Sequence, residues 1–223
     1  MIPINQSDKE DNMQGKKNLA PVFFDDVRKI VLRDPLADFL GAAEDGIVEY
    51  GYADAVKLAG HSCPTVAGAW LMTLKALARL YAGGRPERGA IRVEFREDIA
   101  SGVTGVIANV VSLITGAAQS GGFKGIAGRF ERRNLLFFNA PITGEIRFQR
   151  LDNGDAVEVD YHPELVPPAP AMRELMAKAV SGTASAAELR EFGAHWQDRV
   201  RRILIDNIDH AGLVVLGGTT GPA

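Results

Sequence analysis

The stretch GHSCPTVAGAWLMTLKALARLY, residues 60–81, contains the only cysteine of the chain and its most apolar helical pattern. Pro64 suits the first position of a helix, because its fixed φ is helical and its missing N–H would have no partner there. Apolar residues then occur on every side of the helix until the glycine-rich AGGRPERG, residues 82–89, ends it. The pattern predicts a buried central helix around which the other elements pack.

Helical patterns dominate the first half of the chain and strand patterns the second half. Residues 21–31 predict a helix, Asp34 and Pro35 begin a second one, and IRVEF alternates as a strand before an apolar helix near residues 103–115. Later stretches have strand character, with LDNGD as a hairpin turn between the last two: KGIAGRF, NLLFFN, GEIRFQR and AVEVDY. This order predicts an α+β fold, with helices on a mainly antiparallel sheet, rather than a doubly wound α/β fold.

Composition divides the chain into three parts. Residues 1–19 are polar and without periodicity, which predicts a disordered or extended leader. Residues 20–165 contain the predicted core domain. The Pro-rich PELVPPAPA then predicts a stiff linker, so residues 166–223 are expected to form a linker and a helical C-terminal extension.

The last long helix is predicted near residues 186–208. Ser185 followed by Glu188 has the spacing of a capping box. Apolar side chains recur along one face of this helix: Leu189, Phe192, Trp196, Val200, Ile203 and Leu204. This stripe is expected to pack on the core or across a dimer, with Trp196 as its anchor.

Charge and composition exclude several classes of partner. The 223 residues have a net charge of -3 with both signs interspersed, so we expect neither nucleic acid nor an anionic membrane surface as a partner. The most apolar run, residues 102–118, is too polar and too short to span a bilayer. The single cysteine excludes an intramolecular disulfide, and the first residues lack the apolar core of a secretory signal, so the cytoplasm is the expected compartment.

The two most apolar helices also predict assembly. Residues 67–81 and 103–115 are apolar on more than one face, and a chain of this size has difficulty covering both. A homodimer is therefore expected.

Cys63 is predicted to be the N-cap residue of the central helix. Free N–H groups and the helix dipole favour a thiolate at that position. His61 lies two residues earlier, in a turn after a glycine, and can point to the same side; zinc accepts both thiolate and imidazole ligands. The pair is half of a tetrahedral metal site, and the alternative is a buried cysteine that acts as a small apolar residue.

The remaining metal ligands have to be histidines, carboxylates or water, because the chain has no second cysteine. His162, at the end of a predicted strand, is the candidate third ligand, and an exposed histidine beside a proline is the alternative. His195 is expected on a helix surface, and His210 as a cation at a helix C-terminus. Asp54 and Glu94 are further carboxylate candidates.

The glycine-rich stretch GAAQSGGFKGIAG, residues 116–128, does not have the pattern of a phosphate-binding loop. It lacks the Gly-Lys-Ser/Thr end of such loops and follows a helix rather than a strand. Tight turns and close backbone packing are its expected roles, although Lys124 and exposed N–H groups there can meet an anionic ligand.

Two motifs of this chain resemble those of a known family. GHSCPTVAG, residues 60–68, resembles a GHxCPG signature that precedes a long helix, and NVVSLITGAAQSGGFKG, residues 109–125, resembles a helix that ends in a Thr-Gly step and a glycine-rich turn. Both motifs are typical of the FmdE-like family of formylmethanofuran dehydrogenase, and the similarity covers roughly residues 45–160. The resemblance implies an α+β core that assembles as a dimer. It also implies a metal site, whose ligands in this chain are His61 and Cys63.

The chain also departs from the family pattern. Thr65 replaces the glycine of the signature, Val106 and Ala117 stand where many members have cysteines, and Asn109 stands where they have an acidic residue.

The sequence therefore leaves two hypotheses for the function. The favoured one is a protein that binds zinc or another divalent transition metal, as a metalloenzyme with Cys63 as its catalytic residue or as a redox-linked accessory subunit. The alternative is a non-catalytic module that keeps the fold and binds a small-molecule ligand or another subunit.

Overall fold

A computed structural model describes residues 20–218 of the chain. The leader predicted for residues 1–19 lies outside the described residues, as do residues 219–223. The α-helices within the described range are α1 (Pro35–Phe39), α2 (Tyr52–Ala59), α3 (Pro64–Leu80), α4 (Thr104–Thr115), α5 (Met172–Ser181) and α6 (Ala186–Arg201). The strands are β1 (Ile30–Arg33), β2 (Ile47–Tyr50), β3 (Ile91–Phe95), β4 (Leu136–Phe137), β5 (Ile146–Arg150), β6 (Ala156–Tyr161) and β7 (Val214–Leu216).

Five of these strands form the main sheet, in the order β4-β3-β5-β6-β7. Strands β3 and β4 are parallel, whereas the other neighbouring pairs are antiparallel. Strands β1 and β2 form a separate antiparallel pair. The predicted α+β fold with a mostly antiparallel sheet is therefore confirmed.

Helix α3 lies at the centre of the core, as its sequence predicts. It packs against α2, α4 and β6, and its residues Trp70, Leu71 and Met72 are fully buried. Trp70 donates a hydrogen bond from Nε1 to the carbonyl oxygen of Arg28 at 3.2 Å, and its ring meets that of Tyr52 edge to face. These contacts satisfy the one polar group of a large buried side chain.

A cluster of charged side chains lies on one face of the sheet, across β3 and β5. Glu94 accepts hydrogen bonds from Arg92 on its own strand and from Arg147 on β5. Side chains alternate between the two faces of a strand, so these residues point away from the apolar side chains that meet α3. The two guanidinium groups satisfy Glu94, which removes the reason to regard it as a metal ligand.

The C-terminal part of the chain packs on the core through the second half of the predicted stripe, whereas Leu189 at its start is 49% exposed and lies outside the packed region. Val200, Ile203 and Leu204 are fully buried, and α6 continues into a π-helical segment, Arg202–Asp206. Ser185 and Glu188 form the predicted capping box. The extension is not only helical, however, because β7 adds a fifth strand to the sheet beside β6.

Two local predictions were wrong. Residues 21–31 form a short 3-10 turn, Val22–Phe24, and then β1 instead of a helix. Pairing with β2 decides this segment, because it buries Ile30 and Leu32 on one side of the pair. KGIAGRF likewise contains only an isolated bridge, between Ile126 and Arg129, around a tight turn.

None of the helices in the described range has the length and apolar character that a membrane span requires.

Candidate functional site

Cys63 is the N-cap residue of α3, as predicted. Its backbone is extended, with φ -151 and ψ 169, and Pro64 follows at the first helical position. The Sγ atom accepts a hydrogen bond from the N–H of Val66 at 3.5 Å, and only 8% of the residue is exposed. The sulfur therefore faces the first turn of α3 and acts as the side-chain acceptor that caps the helix.

His61 is exposed, and its ring has a defined orientation. Gly60 ends α2 in the left-handed region, at φ 75, which turns the chain sharply just before the histidine. Nδ1 of His61 lies 3.0 Å from the carbonyl oxygen of Ala59. Because a carbonyl oxygen only accepts hydrogen bonds, Nδ1 carries the proton and the lone pair is on Nε2.

Ser62, between the two candidate ligands, forms hydrogen bonds that join the turn to helices α2 and α6. Its hydroxyl donates to Oε1 of Gln197 at 3.0 Å and therefore accepts from the hydroxyl of Tyr52 at 3.2 Å. Its carbonyl oxygen accepts from Nε1 of Trp196 at 2.9 Å and from Nε2 of Gln197 at 3.2 Å. Helix α6 thus fixes the turn that carries His61 and Cys63.

Ser62 and Gln197 were not predicted as site residues. Ser62 occupies the variable position of the GHxCP signature, and Gln197 lies more than a hundred residues away on another helix. Only Trp196 gave a signal, as the predicted anchor of the apolar stripe.

Tyr161 supports the first turn of α3 from the sheet. Its hydroxyl donates to the carbonyl oxygen of Pro64 at 3.0 Å, and its ring lies directly over Gly68, where no larger residue has room. Burial raises the pKa of both Tyr161 and Tyr52, and nearby Cys63 acts in the same direction. Both phenols are therefore neutral at physiological pH, and each donates a hydrogen bond beside the cysteine.

The structure does not gather the other predicted ligands around Cys63. Nδ1 of His162 lies 3.2 Å from Oε1 of Glu164, in the turn after β6. His195 lies beside Glu191 on α6. Nδ1 of His210 accepts the N–H of Gly212 at 3.1 Å.

Over residues 20–218, no three histidine, cysteine, aspartate or glutamate side chains come together as a group that could hold a metal ion. Asp54, the remaining carboxylate candidate, accepts the N–H of Gly51 at 2.9 Å and so caps α2. A catalytic zinc site uses three protein ligands and a structural site uses four. The chemistry of Cys63 and His61 fits a zinc ion, but within residues 20–218 they are the only two candidate ligands that the structure places in this turn.

The second motif forms the end of α4. Gly116 is its C-cap at φ 75, and Ser112 donates its hydroxyl proton to the carbonyl oxygen of Ala117 at 2.6 Å. Ala117 is fully buried, whereas Asn109 is exposed on α4. The Thr-Gly step thus has a structural role here as a helix terminus.

No model of a protein family matches this chain, and no curated protein does. The resemblance to the FmdE-like family of formylmethanofuran dehydrogenase therefore rests on the two motifs themselves.

Proposed function

We propose that this protein binds zinc or another divalent transition metal through Sγ of Cys63 and Nε2 of His61. The orientation of His61 carries the proposal. Its Nδ1 lies 3.0 Å from the carbonyl oxygen of Ala59, which leaves the lone pair of Nε2 for a ligand bond. Histidines that bind metals commonly donate their other ring N–H to a carbonyl group in this way.

Two features of the turn support metal binding. The N–H of Val66 donates to Sγ of Cys63 and so holds the sulfur in one orientation, and the thiolate is the form of cysteine that binds a metal. Trp196 and Gln197 fix the backbone between the two ligands, so little conformational entropy is lost on binding. A bound zinc ion would act as a Lewis acid, and groups beyond these two side chains would complete its shell.

The test is the metal content of protein purified without added metal, measured by mass spectrometry. The wild type is expected to contain stoichiometric metal, Cys63→Ser none, and His61→Ala much less. His195→Ala is the matched control, because it removes a partly exposed histidine that lies beside Glu191 on α6 and should keep the metal. Substitution with cobalt adds a second readout: a sulfur-to-cobalt charge-transfer band in the wild type that Cys63→Ser abolishes.

His162→Ala shows whether the predicted third ligand takes part, through a loss of metal comparable to that in His61→Ala. Wild-type protein that contains no metal and takes up none on titration would contradict the proposal.

A hollow beside Ser62 favours the second function, a non-catalytic ligand-binding or subunit-interaction module. It has a volume of ≈ 380 Å³, and Pro21, Phe24 and Val56 form its apolar wall. A fluorescent apolar probe such as anilinonaphthalene sulfonate should bind there with saturation and lose affinity in Val56→Asp. Saturable binding to wild-type protein that has no metal would favour this function over the first.

A homodimer and a cytoplasmic location also belong to the proposal. Helices α3 and α4 are largely covered within one chain, so they no longer give the reason for a dimer. Val215 and Leu216 on β7, at the edge of the sheet, are partly exposed and offer a surface for a second copy. Light scattering should give twice the chain mass of 24.0 kDa, and a concentration-independent value near that mass would refute the dimer. The cytoplasm follows from the composition alone.

A further inference from the structure

Two arginines share one buried carboxylate near the start of α1. Nη1 of Arg88 donates to Oδ2 of Asp34 at 2.9 Å, and Nη2 of Arg132 donates to Oδ1 at 2.6 Å. Oδ1 of Asp34 also accepts the N–H groups of Leu36 and Ala37, so four donors surround this carboxylate. Asp34 and Arg132 are 4% and 6% exposed, so the carboxylate faces two positive charges largely away from water.

The guanidinium of Arg132 is incompletely paired. Within the described chain, its Nε and Nη1 atoms are buried and have no hydrogen-bond partner. The group packs directly on the backbone of Gly89, and a Cβ atom at Gly116 would lie 3.1 Å from Nη1. Native proteins supply an acceptor to nearly every buried donor of this kind, so these two donors can serve a group that enters from outside the chain.

A cavity of ≈ 450 Å³ opens beside this cluster, and its lining is rich in arginine. The cationic residues of the lining are Arg33, Arg88, Arg129 and Arg132, and the acidic ones are Glu87 and Glu131. The ion-pair partners of these residues are Asp34, Asp38 and Arg133. When these partners are included, five arginines face four carboxylates, which leaves one positive charge in excess. Such a concave positive surface concentrates anions.

Arg129 is an exposed residue of the cavity lining, so its guanidinium is accessible to a ligand. Its guanidinium lies 4.6 Å from the ring centroid of Phe130. Between residues 20 and 218 it has no carboxylate partner, whereas Glu131, the nearest acidic residue in the sequence, pairs with Arg133. Arginine is the preferred residue for phosphate and carboxylate groups because its planar fork donates two parallel hydrogen bonds.

We propose that this cavity binds a small molecule that carries a phosphate or carboxylate group. The exposed guanidinium groups of Arg129 and Arg33 contact the anionic group of the ligand directly. The buried Arg132 adds the N–H groups of Nε and Nη1, which have no partner within the described chain. The volume exceeds that of a bare oxyanion, so an organic part of the ligand fits beside the charged group. The site uses neither Cys63 nor His61, and it is independent of metal binding.

The test is calorimetric titration of the full chain with inorganic phosphate and with succinate, at constant ionic strength maintained with chloride. We expect saturable binding of at least one anion by the wild type, at least tenfold weaker binding in Arg129→Gln, and a further loss when Arg33→Gln is added. Both arginines are exposed, so the variants should fold, which circular dichroism verifies. Arg190→Gln is the matched control, because it removes an exposed arginine from α6 and should bind like the wild type.

The outcomes distinguish the ligand class from failure of the proposal. Binding of phosphate alone or of succinate alone assigns the site to that class, and binding of both assigns it to oxyanions in general. The proposal is overturned if neither anion saturates the wild type below about 10 mM, which corresponds to a very weak site. Equal weakening in Arg190→Gln and Arg129→Gln would also overturn it, because general surface charge would then explain the binding. Use of Cys63→Ser protein in parallel separates these results from those for the metal.

Discussion

Gly68→Ala is expected to destabilise this protein, although the same exchange inside a helix usually stabilises. Gly68 lies in α3, five residues after Cys63, and the ring of Tyr161 covers it. A Cβ atom at this position would overlap Cδ1 and Cε1 of that ring and lie 2.8 Å from Cζ. The ring has to move away, and its hydroxyl then loses the hydrogen bond to Pro64.

The expected change in the free energy of unfolding has one stabilising and two destabilising contributions. Alanine is favoured over glycine by about 1 kcal/mol in a helix interior. Overpacking of a filled core costs about 1 to 3 kcal/mol. Loss of the hydrogen bond between Tyr161 and Pro64 costs about 1 kcal/mol more. The net expectation is a decrease of about 1 to 3 kcal/mol in the free energy of unfolding.

Gly193 in α6 provides the matched control. It also lies inside a helix, but nothing stands within 4 Å of a Cβ atom there. Gly193→Ala should therefore increase the free energy of unfolding by about 0.5 to 1 kcal/mol, from helix propensity alone.

Urea denaturation, followed by far-UV circular dichroism, measures both variants. Equal stabilisation by Gly68→Ala and Gly193→Ala would refute the packing of Tyr161 on α3. A double variant with Tyr161→Leu tests the cause, because the smaller side chain should make Gly68→Ala less costly.

Three more variants test the cysteine turn, the arginine cluster and Glu145, a partly buried carboxylate just before β5. Trp196→Phe removes one of the two donors to the carbonyl oxygen of Ser62, so it should cost about 1 kcal/mol and speed the reaction of Cys63 with a thiol reagent; an unchanged rate would contradict the role of α6. Burial raises the pKa of Asp34, but hydrogen bonds and charges from Arg88 and Arg132 outweigh it and hold the pKa below its ordinary value. The carboxylate therefore stabilises the fold fully at pH values above its ordinary pKa, and this stabilisation is lost as the pH falls through the lowered pKa. Asp34→Asn should cost about 3 kcal/mol at neutral pH and flatten the acid end of the stability curve; urea midpoints that keep the wild-type acid slope would contradict this. Burial raises the pKa of Glu145, so stability falls as the pH rises through the raised value, and Glu145→Gln should be more stable than the wild type at about pH 7 but not at about pH 4.

Local patterns predicted the elements that depend on local interactions. Asp34 caps α1, Pro64 is the first residue of α3, and Ser185 caps α6, as their neighbours in the sequence indicate. Pairing between distant segments decided the cases that were missed. β1 forms because β2 lies beside it, and β7 forms because β6 leaves an edge open.

The candidate site shows the same division. Cys63 was placed correctly because capping depends on the next three residues. The roles of Ser62 and Gln197 depend on the docking of α6 against the turn, which no spacing in the sequence encodes. Arg132 was missed for the same reason, because Asp34, its partner, lies 98 positions earlier.

The hydrogen bonds from α6 to Ser62 span 134 and 135 positions of the chain, which has a consequence during synthesis. A ribosome adds about 5 to 20 residues per second, so roughly 7 to 27 s separate the appearance of the turn from that of the helix that fixes it. During this interval the turn that carries Cys63 lacks the hydrogen bonds from Trp196 and Gln197. The maturation of the cysteine turn is therefore tied to the synthesis of α6.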